Sequence, residues 1–427
     1  MLGGPLGEAP AQAGASSLRA ELAARIDRGR AERRVLRTGL ILIGGFVVAT
    51  LVSAVLGGTA RVGWPTLHIA LVGAATVGIG TFMPHFAVTL AGTTPEPAPA
   101  RLLVLGLLAV GAAGVIGGVG YGIGWLVVAA GMLLLAGVLG TGWMTFAPMR
   151  RGITRRHPVV QLTYGAALLQ VAVGASIAML LYAGWPPVVS HWAELKVAHA
   201  WLTLFGFVSL TVVATLVYLF PTVTGARIRV HPSLMVLVVG CVAGPPLVAL
   251  GAAVDAGPLV AAGAWLTVTG AIGQAWYVID IWRRRGRWAF DHAWHRIVIA
   301  HLAAGPAWFL VAVVVVAFAI GLGTPVSGWS VGAATVPLLG GWVVQELIGS
   351  WSHLLPAVGP GDAAAHARQR DLLGLWPIPR LVALNLGVAL AWAGLELRLP
   401  ALTVAGAALL LAATALAVAL LARSLRA

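Results

Sequence analysis

The sequence predicts an all-α polytopic membrane protein of about 12 transmembrane helices, arranged as three pseudo-repeated four-helix units. Three observations predict it. Of the 427 residues, 59% are hydrophobic and only 9% are charged, whereas a soluble chain carries about 25% charge. Apolar runs of about 18 residues or more, long enough to cross a bilayer as a helix, recur from one end to the other. Lysine and arginine gather in alternate loops, as they do when one set of loops stays cytoplasmic.

The elements follow in order. Residues 1–37 form a basic arm, SLRAELAARIDRGRAERRVLR at its centre. It has no apolar core of the kind a signal peptide needs and reads as a cytoplasmic helix flanking the first span. Twelve spans are expected at about 38–57, 67–90, 101–119, 122–147, 159–183, 193–220, 231–252, 257–281, 297–320, 331–355, 380–396 and 400–422, which makes 38–427 a single transmembrane domain. An even number of spans puts both chain ends on one side. On that side lie 24 of the 27 basic residues, leaving Arg61, Lys196 and Arg398 on the other, so both termini are expected to be cytoplasmic in a bacterial cytoplasmic membrane. The net charge of +14 is then a topology signal with some attraction to anionic headgroups, and needs no nucleic acid. The partner it implies is the lipid bilayer. The single cysteine, Cys241, lies in an apolar span, which excludes disulfides and cysteine-rich metal sites.

The spans echo one another. With an offset of 133, Leu71, Gly73, Thr89 and Gly92 of the second span coincide with Leu204, Gly206, Thr222 and Gly225 of the sixth. With an offset of 135, Leu204, Gly206, Val208, Leu219, Pro221 and Val223 coincide with Leu339, Gly341, Val343, Leu354, Pro356 and Val358 of the tenth. The near-equal offsets imply units at about 38–150, 159–290 and 295–423, and repeats of this kind tend to place sites where units meet. The glycine-rich GVIGGVGYGIG at 114–124 lacks the strand, lysine and hydroxyl of a phosphate loop and reads as a close-packed turn.

Ionisable groups inside a membrane are functional candidates by default. His157, His231, His292 and His366 fall in basic loops and read as solvated surface. His68 and His199 enter the second and sixth spans from the outer side, and burial of an imidazole favours a ligand role for both. His191 and Glu194, two turns and one turn before His199, are auxiliary candidates at an outer metal site, or interfacial residues beside Trp185 and Trp192. The inner half holds His85, His353, His295 and His301. His68 and His85 are 17 positions apart, about 25 Å along a helix, so one metal cannot take both and a separate inner site is implied. Glu346 is the only carboxylate deep in a span. It marks either a proton path or a hydrogen bond between helices. Trp201, Trp342 and Trp351 lie deep enough to flank a macrocycle, though ordinary packing also accounts for them.

Twelve helices in three arcs resemble subunit I of the haem–copper oxidase and nitric-oxide reductase superfamily. The stretch HAWLTLFGFVSLTVVATLVYLFP at 199–221 resembles the histidine-bearing outward ends of that superfamily's core helices, and GGWVVQELIGSWSHLLP at 340–356 resembles its tenth helix. The resemblance implies that His68 and His199 hold a low-spin haem of b type, with copper as a second cofactor. It also shows departures. The histidines expected just before Gly340 are replaced by Ala334 and Val336, and the seventh span has only His231, at the wrong end. The full binuclear oxygen-reducing centre is therefore missing. What remains is similar to a degenerate member, such as the NnrS-type proteins or the membrane portion attached to cupredoxin nitrite reductases. The implied role is electron transfer or nitrogen-oxide redox work, as or beside an oxidoreductase, with a periplasmic or extracellular cupredoxin-type partner. Two other classes stay open: a transporter or permease, and a structural anchor for an extracellular copper protein.

Overall fold

The computed structural model describes residues 9–57, 63–152, 158–229, 231–290, 292–321, 332–358 and 362–426. Arg61, His157 and Trp329 lie outside them. The long helices are α1 (Ala9–Leu56), α2 (Trp64–Ala91), α3 (Ala98–Gly120), α4 (Gly124–Arg151), α5 (Pro158–Tyr182), α6 (Trp192–Thr224), α7 (Pro232–Ala253), α8 (Gly257–Arg283), α9 (Ala293–Gly321), α10 (Gly332–Val336 continuing through Pro337–Val344 and Gln345–Val358), α11 (Pro377–Glu396) and α12 (Pro400–Ser424). No strand occurs among the described residues. The basic arm and the first span are one continuous helix, α1, rather than two elements.

Among the described residues, eleven helices are long and apolar enough to cross a membrane. The exception is α10, at the expected tenth span. It has the length, but Gln345, Glu346 and His353 lower its mean hydropathy. The chain is a polytopic all-α membrane protein. Its outward surface fits that solvent: Ile41, Leu103, Leu139, Val239 and Ile378 are each more than half exposed, a degree of apolar display that a bilayer favours and water does not.

Glycine sets the closest helix pairs. The most extensive packing is within the hairpins α3/α4, α7/α8 and α11/α12, where backbones meet directly. A Cβ at Gly240 would lie 2.3 Å from the Gly270 nitrogen. Close approach of this kind replaces the hydrophobic drive that lipid removes. The interior is built on α6 and α2, which have 83% and 61% of their most apolar stretch buried, against 28% for α12.

One feature recurs in the second helix of each successive set of four. Each is interrupted by a π-helical stretch: Ile69–Ala75 in α2, Trp201–Ser209 in α6 and Pro337–Val344 in α10. Their starts are 132 and 136 residues apart. A π turn inserts extra residues into the helical period, so it changes which side chains face inward below it, and such turns concentrate at functional sites.

Candidate functional site

His68 and His199 lie just ahead of the π segments of α2 and α6. These two segments pack on each other. Both rings are partly buried. His68 Nδ1 donates to the Trp64 carbonyl at 2.9 Å, one turn back on its own helix. The Trp64 indole stacks on the same ring, 3.8 Å between centroids. His199 Nδ1 donates to the Gly174 carbonyl of α5 at 2.8 Å. That reach depends on glycine: a Cβ at Gly174 would come within 2.7 Å of Thr203 Cγ2 and 3.2 Å of Leu202 Cβ.

A carbonyl only accepts, so each Nδ1 carries the proton. Each Nε2 is then a bare lone pair, and neither makes a hydrogen bond among the described residues. Holding one ring nitrogen on a carbonyl fixes the tautomer and the ring plane for a ligand at the other. The donor set therefore suits a haem iron, which takes two neutral imidazoles. It suits a many-ligand copper centre less well. Among the described residues, no three His, Cys, Asp or Glu side chains converge. His191 is the exposed residue capping the start of α6, and Glu194 sits half-buried one turn ahead of His199.

The inner candidates are dispersed over three places. His85 lies in a cavity of about 310 Å³ with Glu32, Arg33 and Arg101, beside the ion pair of Arg101 and Glu32. His295 and His353 face each other, with near-parallel rings 6.3 Å apart and Trp294 stacked on His295 at 4.4 Å. His301 Nδ1 pairs with Gln345 Oε1 at 3.0 Å. Gln345 Nε2 donates to Asn385 Oδ1 at 3.0 Å, and Trp308 Nε1 donates to the same oxygen at 2.7 Å. This last group is a satisfied polar knot that ties α9, α10 and α11 together. Of the deep tryptophans, Trp201 stacks on Phe205 and Trp342 on Phe309.

A cavity of about 80 Å³ lies where α2, α6 and α10 meet, just past their π segments. Its walls are mainly apolar and aromatic, including Phe82, Phe86 and Trp351, with the hydroxyls of Thr211, Thr215 and Ser350 and the carboxyl of Glu346. Glu346 is 2% exposed, and neither carboxyl oxygen has a hydrogen-bond partner among the described residues. It is not the interhelical hydrogen bond considered from sequence; its neighbour Gln345 fills that role. The hydroxyls were the residues that sequence reasoning passed over. Thr211, Thr215 and Tyr218 fall on one face of α6 at helical spacing, a pattern present in the sequence.

Fold and site together define an integral membrane protein with one imidazole at the head of the π segment in each of α2 and α6, and with a carboxyl in the cavity where α2, α6 and α10 meet. No protein-family model matches the chain, and no curated protein is significantly similar to it.

Proposed function

We propose that this is a redox protein of the bacterial cytoplasmic membrane, with both termini cytoplasmic, in which the Nε2 atoms of His68 and His199 hold a haem. The observation that carries the reading is the like setting of two imidazoles: each Nδ1 is tied to a backbone carbonyl, each Nε2 is unbonded, and the π segments that follow them pack on each other. A haem so held supplies one-electron transfer. The chain's own contribution is orientation. Trp64 fixes the His68 ring from its face and from its carbonyl, and Gly174 fixes His199. With Ala334 and Val336 where histidines would complete a binuclear centre, the role proposed is electron relay in nitrogen-oxide or copper metabolism, with an extracellular cupredoxin-type protein as the exchanging partner.

The test is a reduced-minus-oxidised visible spectrum with metal analysis on the purified protein. Wild type is expected to carry haem, and His68→Ala and His199→Ala each to lose the low-spin spectrum. Wild type free of both haem and copper overturns the reading. A transporter is the second reading, favoured by the buried cavity with Glu346. Substrate uptake into proteoliposomes by protein that lacks any chromophore would establish it.

A further inference from the structure

We propose that the cavity between α2, α6 and α10 is a proton-binding site, with Glu346 as the group that takes the proton and the hydroxyls of Thr215, Tyr164 and Tyr218 as the route by which it exchanges. The inference rests on neither the haem reading nor the transporter reading.

Glu346 is the starting point. Its carboxyl lies against the backbone of α9, in room made by the absence of a side chain at Gly305: a Cβ there would sit 2.1 Å from Oε1. The packing thus leaves space for a carboxyl while offering it no donor. A carboxylate stripped of water needs a cation or donors to remain charged. The cavity wall holds no cation, and none of its hydroxyls is hydrogen-bonded to Glu346. No lysine, arginine, histidine or second acid is among its lining residues, from α2, α6 or α10. The nearest titratable group on α9 is His301, one turn before Gly305, and its Nδ1 is engaged with Gln345. Metal cations are poorly matched, because most of the wall is carbon and a compact ion needs a shell of oxygens. The proton is the one cation that needs no such shell. At about 80 Å³ the space also admits a few waters, each needing about 10–15 Å³.

The route is a chain of hydroxyls leading away from the cavity. Thr215 lines it. Thr215 Oγ1 and Tyr164 Oη are 2.9 Å apart, and Tyr164 Oη and Tyr218 Oη are 2.9 Å apart. Thr215 donates its own hydrogen to the Thr211 carbonyl at 2.8 Å, so it accepts from Tyr164, which in turn accepts from Tyr218. When the Thr215 hydroxyl turns from that carbonyl toward the cavity, the proton it delivers is replaced along the two tyrosines. All three belong to α5 and α6. Tyr164 is fully buried, so the chain is enclosed in protein rather than in lipid.

The experiment uses the full-length protein in detergent, treated with dicyclohexylcarbodiimide and mapped by mass spectrometry. This reagent takes the acid proton onto nitrogen while the carboxyl oxygen adds to its carbon, so it reacts with a protonated carboxyl and not with a carboxylate. An adduct is expected on the peptide containing Glu346, falling as the pH is raised and absent in Glu346→Gln. Infrared difference spectra of the same two proteins give a reading that does not depend on reagent access. Wild type should show a protonated-carboxyl band that Glu346→Gln loses. Absence of both adduct and band overturns the proposal, as does a band that sodium or potassium abolishes at constant pH. For the route, transfer into heavy water should shift that band, and Tyr164→Phe should slow the shift by about tenfold or more. An unchanged rate removes the hydroxyl chain from the proposal.

Discussion

Replacing Gly174 by alanine should uncouple His199 from its carbonyl, and the size of the effect can be worked from the contacts. The new methyl would stand 2.7 Å from Thr203 Cγ2 and 3.2 Å from Leu202 Cβ. Thr203 cannot simply swing away, because its hydroxyl is bonded to the His199 carbonyl at 2.8 Å. α5 must therefore retreat from α6, at about 1–3 kcal/mol for the overpacking. The retreat also lengthens the 2.8 Å bond from His199 Nδ1 to the Gly174 carbonyl, worth about 1 kcal/mol when lost. Alanine returns up to about 1 kcal/mol through its better helix propensity, leaving a net loss of about 1–3 kcal/mol. Gly165 on the same helix is the control. A Cβ there meets only Phe146 Cζ at 3.6 Å, an ordinary contact, so Gly165→Ala should be neutral or slightly stabilising. The assay is thermal unfolding of both variants in one detergent at one scan rate. Gly174→Ala alone should also alter the midpoint or band shape of any histidine-bound chromophore, because its imidazole is no longer held in plane. If Gly174→Ala unfolds at the temperature of wild type or of Gly165→Ala, the close contact of α5 and α6 does not position His199 and the reasoning fails.

Three further outcomes are expected. Arg101→Ala should lower the thermal midpoint more than Arg30→Ala, since Arg101 is largely buried against Glu32 while the Arg30–Asp27 pair is 72% exposed on both sides and is worth about 0–1 kcal/mol. The Asp362 carboxyl caps the short helix Ala363–Leu373 by accepting from the Ala365 N–H at 2.8 Å, a bond that holds it below the usual carboxylate range. Because the folded value is the lower one, the cap's contribution is complete above the unfolded carboxylate value of about 3.9 and fades as pH falls through the folded value. Amide exchange at Ala365 and His366 should accordingly be faster in Asp362→Ala than in wild type at neutral pH, and the two should converge in strong acid. Cys241, 3% exposed and packed on Gly270, should resist a water-soluble maleimide in the folded protein and react on unfolding, as mass spectrometry will show.

The helices were legible because a bilayer imposes a single rule. Every spanning segment must be apolar and satisfy its own backbone, and composition alone reports that. α10 marks where the rule loosens: Gln345, Glu346 and His353 lower its hydropathy because it is enclosed by protein, with Gln345 and Glu346 facing α9 and α11 rather than lipid. The site was legible only in one dimension. The offsets of 133 and 135 lay His85 and His353 each over Tyr218, and so at one depth, yet depth says nothing of direction around the axis. The structure turns His85 toward Glu32 and Arg101 and His353 toward His295. Direction is what the three π segments change. Reading α6 at an unbroken 3.6-residue period from His199 misplaces Thr211 and Thr215, because the wider turns at Trp201–Ser209 rotate everything that follows. No residue pattern in Trp201–Ser209 announces that rotation, since apolar residues occupy both sides of the helix and leave no polar face to fall out of register. In a buried helix, then, a sequence shows which groups are costly to bury, and the irregularities of the backbone decide which of them meet.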